Sequence, residues 1–281
     1  MRRAARAAAL LLVLLVVVAG VLLTPWGWRL IGDDQTQIAL TRGEHRLLAS
    51  AGLPLPGQPD LARFDERLKS AGLAAGAPVF VRIFKREFEL ELWMQRDGAF
   101  RLFATYPICT WSGGLGPKLA EGDGQSPEGV YTVDKNALNP NSKYFRSFNL
   151  GYPNAYDASL GRTGSFIMVH GACASIGCFA MTDAQIGEIW RLVTAALDAG
   201  QKRFQVQVLP FRPTPENFAR AKAHPAIGFW RALKRGSDMF DASLTPPRVA
   251  VCNGAYVFAP APPGSVGDAD TEARCPPAGA T

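Results

Sequence analysis

Histidine and cysteine are scarce: the 281-residue chain holds three of the first and five of the second. A site built from these residue types therefore has few possible members. Charge is sparse too, at 19% of residues against 48% apolar, which excludes a disordered chain and a coiled coil. Gly (28) and Pro (21) follow no period, so a collagen-like fibre is excluded as well. No internal repeat is found, and no Arg-Lys run is interleaved with aromatics. The net charge is 30 − 24 = +6, and three of those positives are Arg2, Arg3 and Arg6. The rest carries about +3, too little to argue for a nucleic-acid partner. The length suits one catalytic-size domain with extensions, or two small domains.

What is there begins with an uncharged run, Ala7 to Leu23, behind the three arginines. A basic start and an apolar core read as a secretory signal or a membrane anchor over residues 1–29. Trp26, Trp28 and Arg29 stand where interfacial anchors stand. Val17-Val18-Ala19 loosely fits a cleavage site, so anchor and cleaved signal both remain open. Either way the chain beyond about residue 30 is expected to be exported. No Cys lies near the run, which excludes a lipoprotein anchor. Cys109, Cys173, Cys178, Cys252 and Cys275 then face an oxidising space. Five is odd, so one thiol is left unpaired or pairs between chains, and an unpaired thiol there is a candidate nucleophile.

Residues 30–50 read as a short amphipathic helix, 51–60 as a Pro-rich linker and Leu61 to Leu73 as a helix, together a helical and linker segment over 30–77. Val79–Phe84, Phe88–Trp93 and Phe100–Pro107 alternate as strands of a β-meander. Residues 112–129 read as a Gly-rich loop and Val130–Val133 as a strand. Residues 134–164 read as a long surface loop, usually a functional feature in a compact domain. Ser165–Val169 is expected to be a buried strand, and Thr182 caps a helix from Asp183 to Ala199 ended by Gly200. Phe204–Leu209 is a strand, 215–235 a Pro-punctuated helical segment, and Val249–Phe258 one more strand. Residues 260–281 are expected to be a disordered tail.

The stretch from Phe166 to Asp183 carries the chemistry. His170 ends a strand and Cys178 precedes a helix, two halves of a thiolate–imidazole pair. In that reading an imidazolium and a helix N-terminus lower the Cys178 pKa, and the thiolate attacks a carbonyl while His170 carries protons. Gly177 and Cys178 N–H groups can form an oxyanion hole. Plainer readings stand beside it: His170-Gly171 as a turn, Cys173 paired with Cys178, or zinc held by His170, Cys173, Cys178 and Cys252. The spacing is poor for zinc, so neither metal nor cofactor is expected. Cys109 reads as buried structure, and Cys252 with Cys275 as a disulfide tying down the tail.

Set out as Phe166-Ile-Met-Val-His170-Gly171-Ala-Cys173-Ala-Ser175-Ile-Gly177-Cys178, this run resembles the active-site motif of the L,D-transpeptidase (YkuD-type) catalytic domain and, within it, a YafK-like subgroup. Similar blocks follow in order: Gly116-Pro117-Lys118, Glu121 to Gly124, Ser126-Pro127-Glu128-Gly129-Val130-Tyr131, Ser147 to Asp157, and Ala180 to Asp183. The common family pattern is Ser-His-Gly-Cys, with a second His some way after the first; Ile176 stands at that second His position here, leaving His170 as the motif's imidazole. The resemblance implies a mainly β domain with flanking helices (α+β), sandwich- or barrel-like, over 78–212, with an extension packed on it over 213–259. It implies a periplasmic enzyme, soluble or tethered to the inner membrane, that acylates Cys178 on a peptidoglycan stem tetrapeptide and passes the acyl group to an amine. A hydrolase of the same chemistry, releasing a wall-attached lipoprotein or stem peptide, and a non-catalytic wall-binding module are the competitors. Lys118, Tyr144, Arg162 and Ser175 are candidate substrate contacts around the cleft, with a plain solvated loop cation as the alternative for Lys118 and Arg162.

Overall fold

The computed structural model describes residues 32–268. The signal or anchor segment expected over 1–29 and Cys275 lie outside the described residues. The chain divides into two compact units, residues 1–43 and 44–281. The first contributes, among the described residues, the beginning of helix α1 (Asp34–Ser50). In the second, the expected helix over 61–73 is shorter, a 3₁₀ turn (Leu61–Arg63) running into α2 (Phe64–Ser70), because Gly72 at φ 64° is left-handed and ends it.

Two five-stranded sheets follow. The first has the order β3 (Ala99–Pro107), β2 (Glu89–Arg96), β1 (Val79–Phe84), β10 (Arg203–Leu209), β5 (Gly129–Asp134). β1 is central, its residues are all buried, and it runs parallel to β10, which is why its sequence is a continuous apolar run broken only by Arg82. Arg82 is satisfied by Glu91 at 3.0 Å and Asp241 at 2.7 Å. The β2–β3 turn is Asp97-Gly98, both with positive φ, the pairing that a tight hairpin requires.

The second sheet is built from much shorter strands, in the order β4 (Thr110–Trp111), β9 (Phe179–Ala180), β8 (Met168–His170), β7 (Ser147–Asn149), β6 (Leu138–Asn139). Here the expected loop over 134–164 is corrected: it holds β6, β7 and α3 (Ala155–Ser159), the helix closed by a capping box between Asn154 and Asp157. The strand expected at 165–169 is displaced to 168–170, and Phe166 has positive φ and is exposed.

Helix α4 (Asp183–Asp198) begins at Thr182 with a capping box to Gln185. It buries Ile186, Ile189, Leu192, Val193, Ala196 and Leu197 and packs against both β1 and β8. Phe148 of β7 meets Phe204 of β10 edge-on, with centroids 5.6 Å apart, so the two sheets share one core.

Beyond β10, Thr214 and Pro215 start α5 (Pro215–Arg220), and α6 (Ile227–Ser243) follows. The single strand expected at 249–258 is a hairpin, β11 (Arg248–Cys252) and β12 (Ala255–Ala259), turning at Asn253-Gly254 with φ of 50° and 70°. Part of the expected disordered tail is held in place: the Ser265 and Val266 carbonyls accept from Gln95 and Gln201 side chains.

Candidate active site

β8 and β9 are parallel neighbours, with Val169 opposite Phe179 and His170 opposite Ala180. Continued by one residue, that register sets Cys178 beside Met168, and the Met168 N–H donates to the Cys178 sulfur at 3.4 Å. Residues 168 and 170 share a face of their strand, so His170 and Cys178 face the same way, about 6.6 Å apart along the strand direction. No hydrogen bond joins them directly among the described contacts; Cys178 Sγ instead reaches the Phe166 carbonyl at 3.6 Å.

His170 is buried, and its Nδ1 lies 2.6 Å from the Gly171 carbonyl. A carbonyl only accepts, so Nδ1 carries the proton and Nε2 keeps the lone pair that a general base needs. The Gly171 N–H donates to the Tyr144 carbonyl at 3.0 Å, and the Tyr144 ring lies over the imidazole with centroids 4.7 Å apart. A side chain at Gly171 would meet Asp183 at 2.4 Å and the Tyr144 carbonyl at 3.0 Å, so this close approach requires glycine.

The cysteines sort themselves. Cys109 and Cys173 form a disulfide across 64 residues, and Cys178 is free. Cys252 is disulfide-bonded, while its expected partner Cys275 lies outside the described residues. The pairing of Cys173 with Cys178 is therefore overturned, and Cys173 is unavailable as a nucleophile. Among the described residues no group of three His, Cys, Asp or Glu side chains is placed to hold a metal ion.

The expected lowering of the Cys178 pKa is corrected. Burial pushes the thiol above its ordinary 9.0, against smaller lowering by the Met168 N–H and the Lys118 charge. Burial likewise pushes His170 below its ordinary 6.5, opposed by its bond to Gly171. Helix α4 does not help, because β9 separates Cys178 from the helix start at Asp183. The resting pair is thus a neutral thiol and a neutral imidazole. We expect iodoacetamide alkylation of Cys178 to keep rising past pH 9, whereas a plateau below pH 8 would show a resting ion pair. The linkage sign for His170 follows from its depressed value. The folded state binds this proton less well than the unfolded state, so the contribution is present above pH 6.5 and lost as pH falls through the folded pKa.

Gly177, buried at φ 94°, forms the turn that delivers Cys178. Neither the Gly177 nor the Cys178 N–H has a hydrogen-bond acceptor among the described residues. The Cys178 carbonyl, by contrast, accepts from Ser175 Oγ at 2.7 Å and Ser126 Oγ at 3.0 Å. Ser112 Oγ joins Ser175 Oγ at 2.9 Å. Ser175 therefore acts on the backbone of the turn. Ser112 and Ser126 carry no signal of this role in the sequence; Ser126 belongs to the Ser-Pro-Glu-Gly run, but nothing along the chain shows that it meets residue 178.

Lys118 and Arg162, read from the sequence as candidate carboxylate-binding cations or plain solvated loop cations, are engaged with partners inside the protein. Lys118 is buried, and its Nζ donates to Asp123 at 2.6 Å and to the Ala120 carbonyl at 2.8 Å. Burial works against ionised Asp123, yet that bond and three backbone N–H groups hold its carboxyl at about 2, so Asp123 stays ionised. Arg162 pairs with buried Asp157 at 2.7 Å and lies over Tyr156 and Phe229. Tyr144 is half exposed beside His170, and Phe166 and Ile176 stand in solvent.

The YkuD L,D-transpeptidase catalytic domain matches residues 79–226, more than half the chain. The chain belongs to the L,D-transpeptidase family. It is 47% identical over 182 residues to "Putative L,D-transpeptidase YafK" of Escherichia coli K12, covering 65% of this chain and 74% of that protein. Among solved structures it is similar to the helical cell shape determining protein Pgp2 (K307A mutant) of Campylobacter jejuni, at 22% identity and TM-score 0.40, covering 64% of this chain and 67% of that one. Bd1075 of Bdellovibrio bacteriovorus is similar at 17% identity and TM-score 0.34, covering 58% and 60%. The α+β architecture of sheets with flanking helices is that of an L,D-transpeptidase domain.

Proposed function

We propose that this L,D-transpeptidase works outside the cytoplasm as a thiol acyltransferase on peptidoglycan stem peptides. The observation that carries the reading is the juxtaposition on β8 and β9: a free Cys178 on the same face as an Nδ1-protonated His170, with two unengaged N–H groups on its turn. Nε2 of His170 accepts the Sγ proton as sulfur attacks the carbonyl carbon of the L-to-D bond next to meso-diaminopimelate. The Gly177 and Cys178 N–H groups receive the oxyanion of the tetrahedral intermediate. His170 returns the proton to the nitrogen of the leaving D-Ala, and a thioester to Cys178 remains. An acceptor amine then attacks the thioester, giving its proton to Nε2 and releasing the thiol.

Because the resting pair is neutral, proton transfer accompanies attack instead of preceding it. That places the demand on positioning, which the short strands and the closed 171–181 loop supply. The Ala172 N–H is held by Asp183 at 2.7 Å, the Cys173 N–H by the Met181 carbonyl at 3.1 Å, and the Met181 N–H by the His170 carbonyl at 2.7 Å.

The test is incubation with tetrapeptide muropeptides and a free amine, with products read by mass. Loss of D-Ala with gain of the amine is the expected result. Loss of D-Ala with gain of water alone would identify a hydrolase, and no change in mass would sink the enzymatic reading. EDTA should leave the rate unaltered, since no step needs a metal; a loss restored by zinc would overturn that expectation.

A further inference from the structure

We propose that Ser126 is a positioning residue, holding the oxyanion-binding N–H groups of the Gly177–Cys178 turn in place through the Cys178 carbonyl. The proposal rests on the acyl-transfer reading above. Ser126 is fully buried, and each of its polar atoms is committed. Its Oγ donates to the Cys178 carbonyl at 3.0 Å and accepts the Ser112 N–H at 3.0 Å. Its own N–H donates to the Ser112 carbonyl at 2.9 Å, and its carbonyl accepts from Lys85 Nζ at 2.9 Å.

Lys85 shows how firmly this serine is seated. Its side chain has no solvent exposure, and Nζ also donates to the Gly116 carbonyl at 2.9 Å and to Glu128 Oε1 at 3.0 Å. Glu128 is equally buried; Oε1 accepts the Gly116 N–H at 2.8 Å, and Oε2 accepts Trp230 Nε1 of α6 at 2.6 Å. Taking both charges out of water is costly, and apolar side chains of the same volume would pack there at no such cost. These bonds converge on residues 116–128, the segment that contains Ser126. The Ser-Pro-Glu-Gly block thus has a physical use: Ser126 grips the nucleophile's backbone, and Glu128, two residues on, anchors the grip to Lys85, the residue after β1, and to Trp230 of α6.

The geometry matters because an oxyanion hole contributes only if its donors need no reorganisation when charge develops. Gly177 is conformationally free, so the 177–178 peptide needs an external restraint. Two hydroxyl donors on the Cys178 carbonyl fix that residue's backbone, and with it the neighbouring N–H groups. Ser175 belongs to the same turn and moves with it, whereas Ser126 is fastened to the core. Ser126 touches no reacting atom in this scheme.

The experiment compares two reactions of the same thiol in the full chain. Iodoacetamide alkylation is a displacement at a saturated carbon and develops no oxyanion. Acylation by a β-lactam passes through one. For Ser126→Ala, acylation should fall about 10- to 100-fold while alkylation stays within about twofold of the unsubstituted chain. Ser126→Thr, which keeps a hydroxyl, should recover most of the acylation rate. An equal fall in both reactions, or no fall in either, would overturn the proposal and leave acyl transfer standing. An unsubstituted chain that is alkylated but never acylated would overturn the acyl-transfer reading, and this proposal with it.

Discussion

Cys178→Ala is expected to abolish acyl transfer, by about a thousandfold or more, while the folded chain keeps its thermal midpoint. The residue is half-buried and the change removes a single sulfur atom, so no large cavity is left. Titration of the unreduced protein should lose the thiol signal of Cys178 in this variant, since Cys109 and Cys173 are joined to each other. His170→Ala should cost a similar factor, by removing the base. The double variant should be no worse than either single one, because nucleophile and base act as a unit. Additive losses would show that the two residues work in separate steps. Retained activity in Cys178→Ala would remove the proposed mechanism altogether.

Breaking the Cys109–Cys173 disulfide is expected to cost about 4 kcal/mol, from the loop-closure entropy of a 64-residue separation. For a domain of this size that is a fall in thermal midpoint of roughly 10 °C. The bond also secures the loop beside the nucleophile. Ala172 and Cys173 have φ of 65° and 46°, a left-handed conformation that non-glycine residues adopt only when their surroundings impose it. The disulfide is one of those restraints, with the bonds to Asp183 and Met181. Cys109→Ala, Cys173→Ala and the double variant should therefore show the same lowered midpoint, with weakened rather than absent activity. Solvent reaches Cys173 through a cavity of about 430 Å³, lined also by Arg46, Ser50 and Asp183, so a small phosphine reductant should reproduce the effect in the unsubstituted chain. The reductant should do nothing further to the double variant. An unchanged midpoint in Cys173→Ala would show that the loop does not depend on the bond.

The long elements were legible because their signals are local. Thr182 and Gln185 form the capping box that starts α4, and apolar residues recur along that helix at its own period. The first three long strands read as a meander because each has enough residues to display its pattern, and Asp97-Gly98 marks a turn between two of them. Asn253-Gly254 is an equally clear turn signal, and it splits the strand expected over 249–258 into the two arms of a hairpin. His170 and Cys178 stood out because so few residues of either kind exist in the chain.

What only the tertiary structure decided involves partners distant in sequence. Strands of two or three residues, such as β6, β8 and β9, are too short to show any period, and they form because a neighbour supplies the other half of each ladder. The parallel pairing of β8 with β9 sets the register of base and nucleophile, and a parallel pair has no turn of its own to announce it. Cysteine pairing has no sequence signature, so Cys109 and Cys173 needed the fold to find each other. Lys118 and Arg162 are charged in any reading, but only their burial against Asp123 and Asp157 shows those charges already satisfied. The direction of the Cys178 pKa is invisible along the chain for the same reason: desolvation depends on everything packed around a group, and the sequence names only the residues beside it.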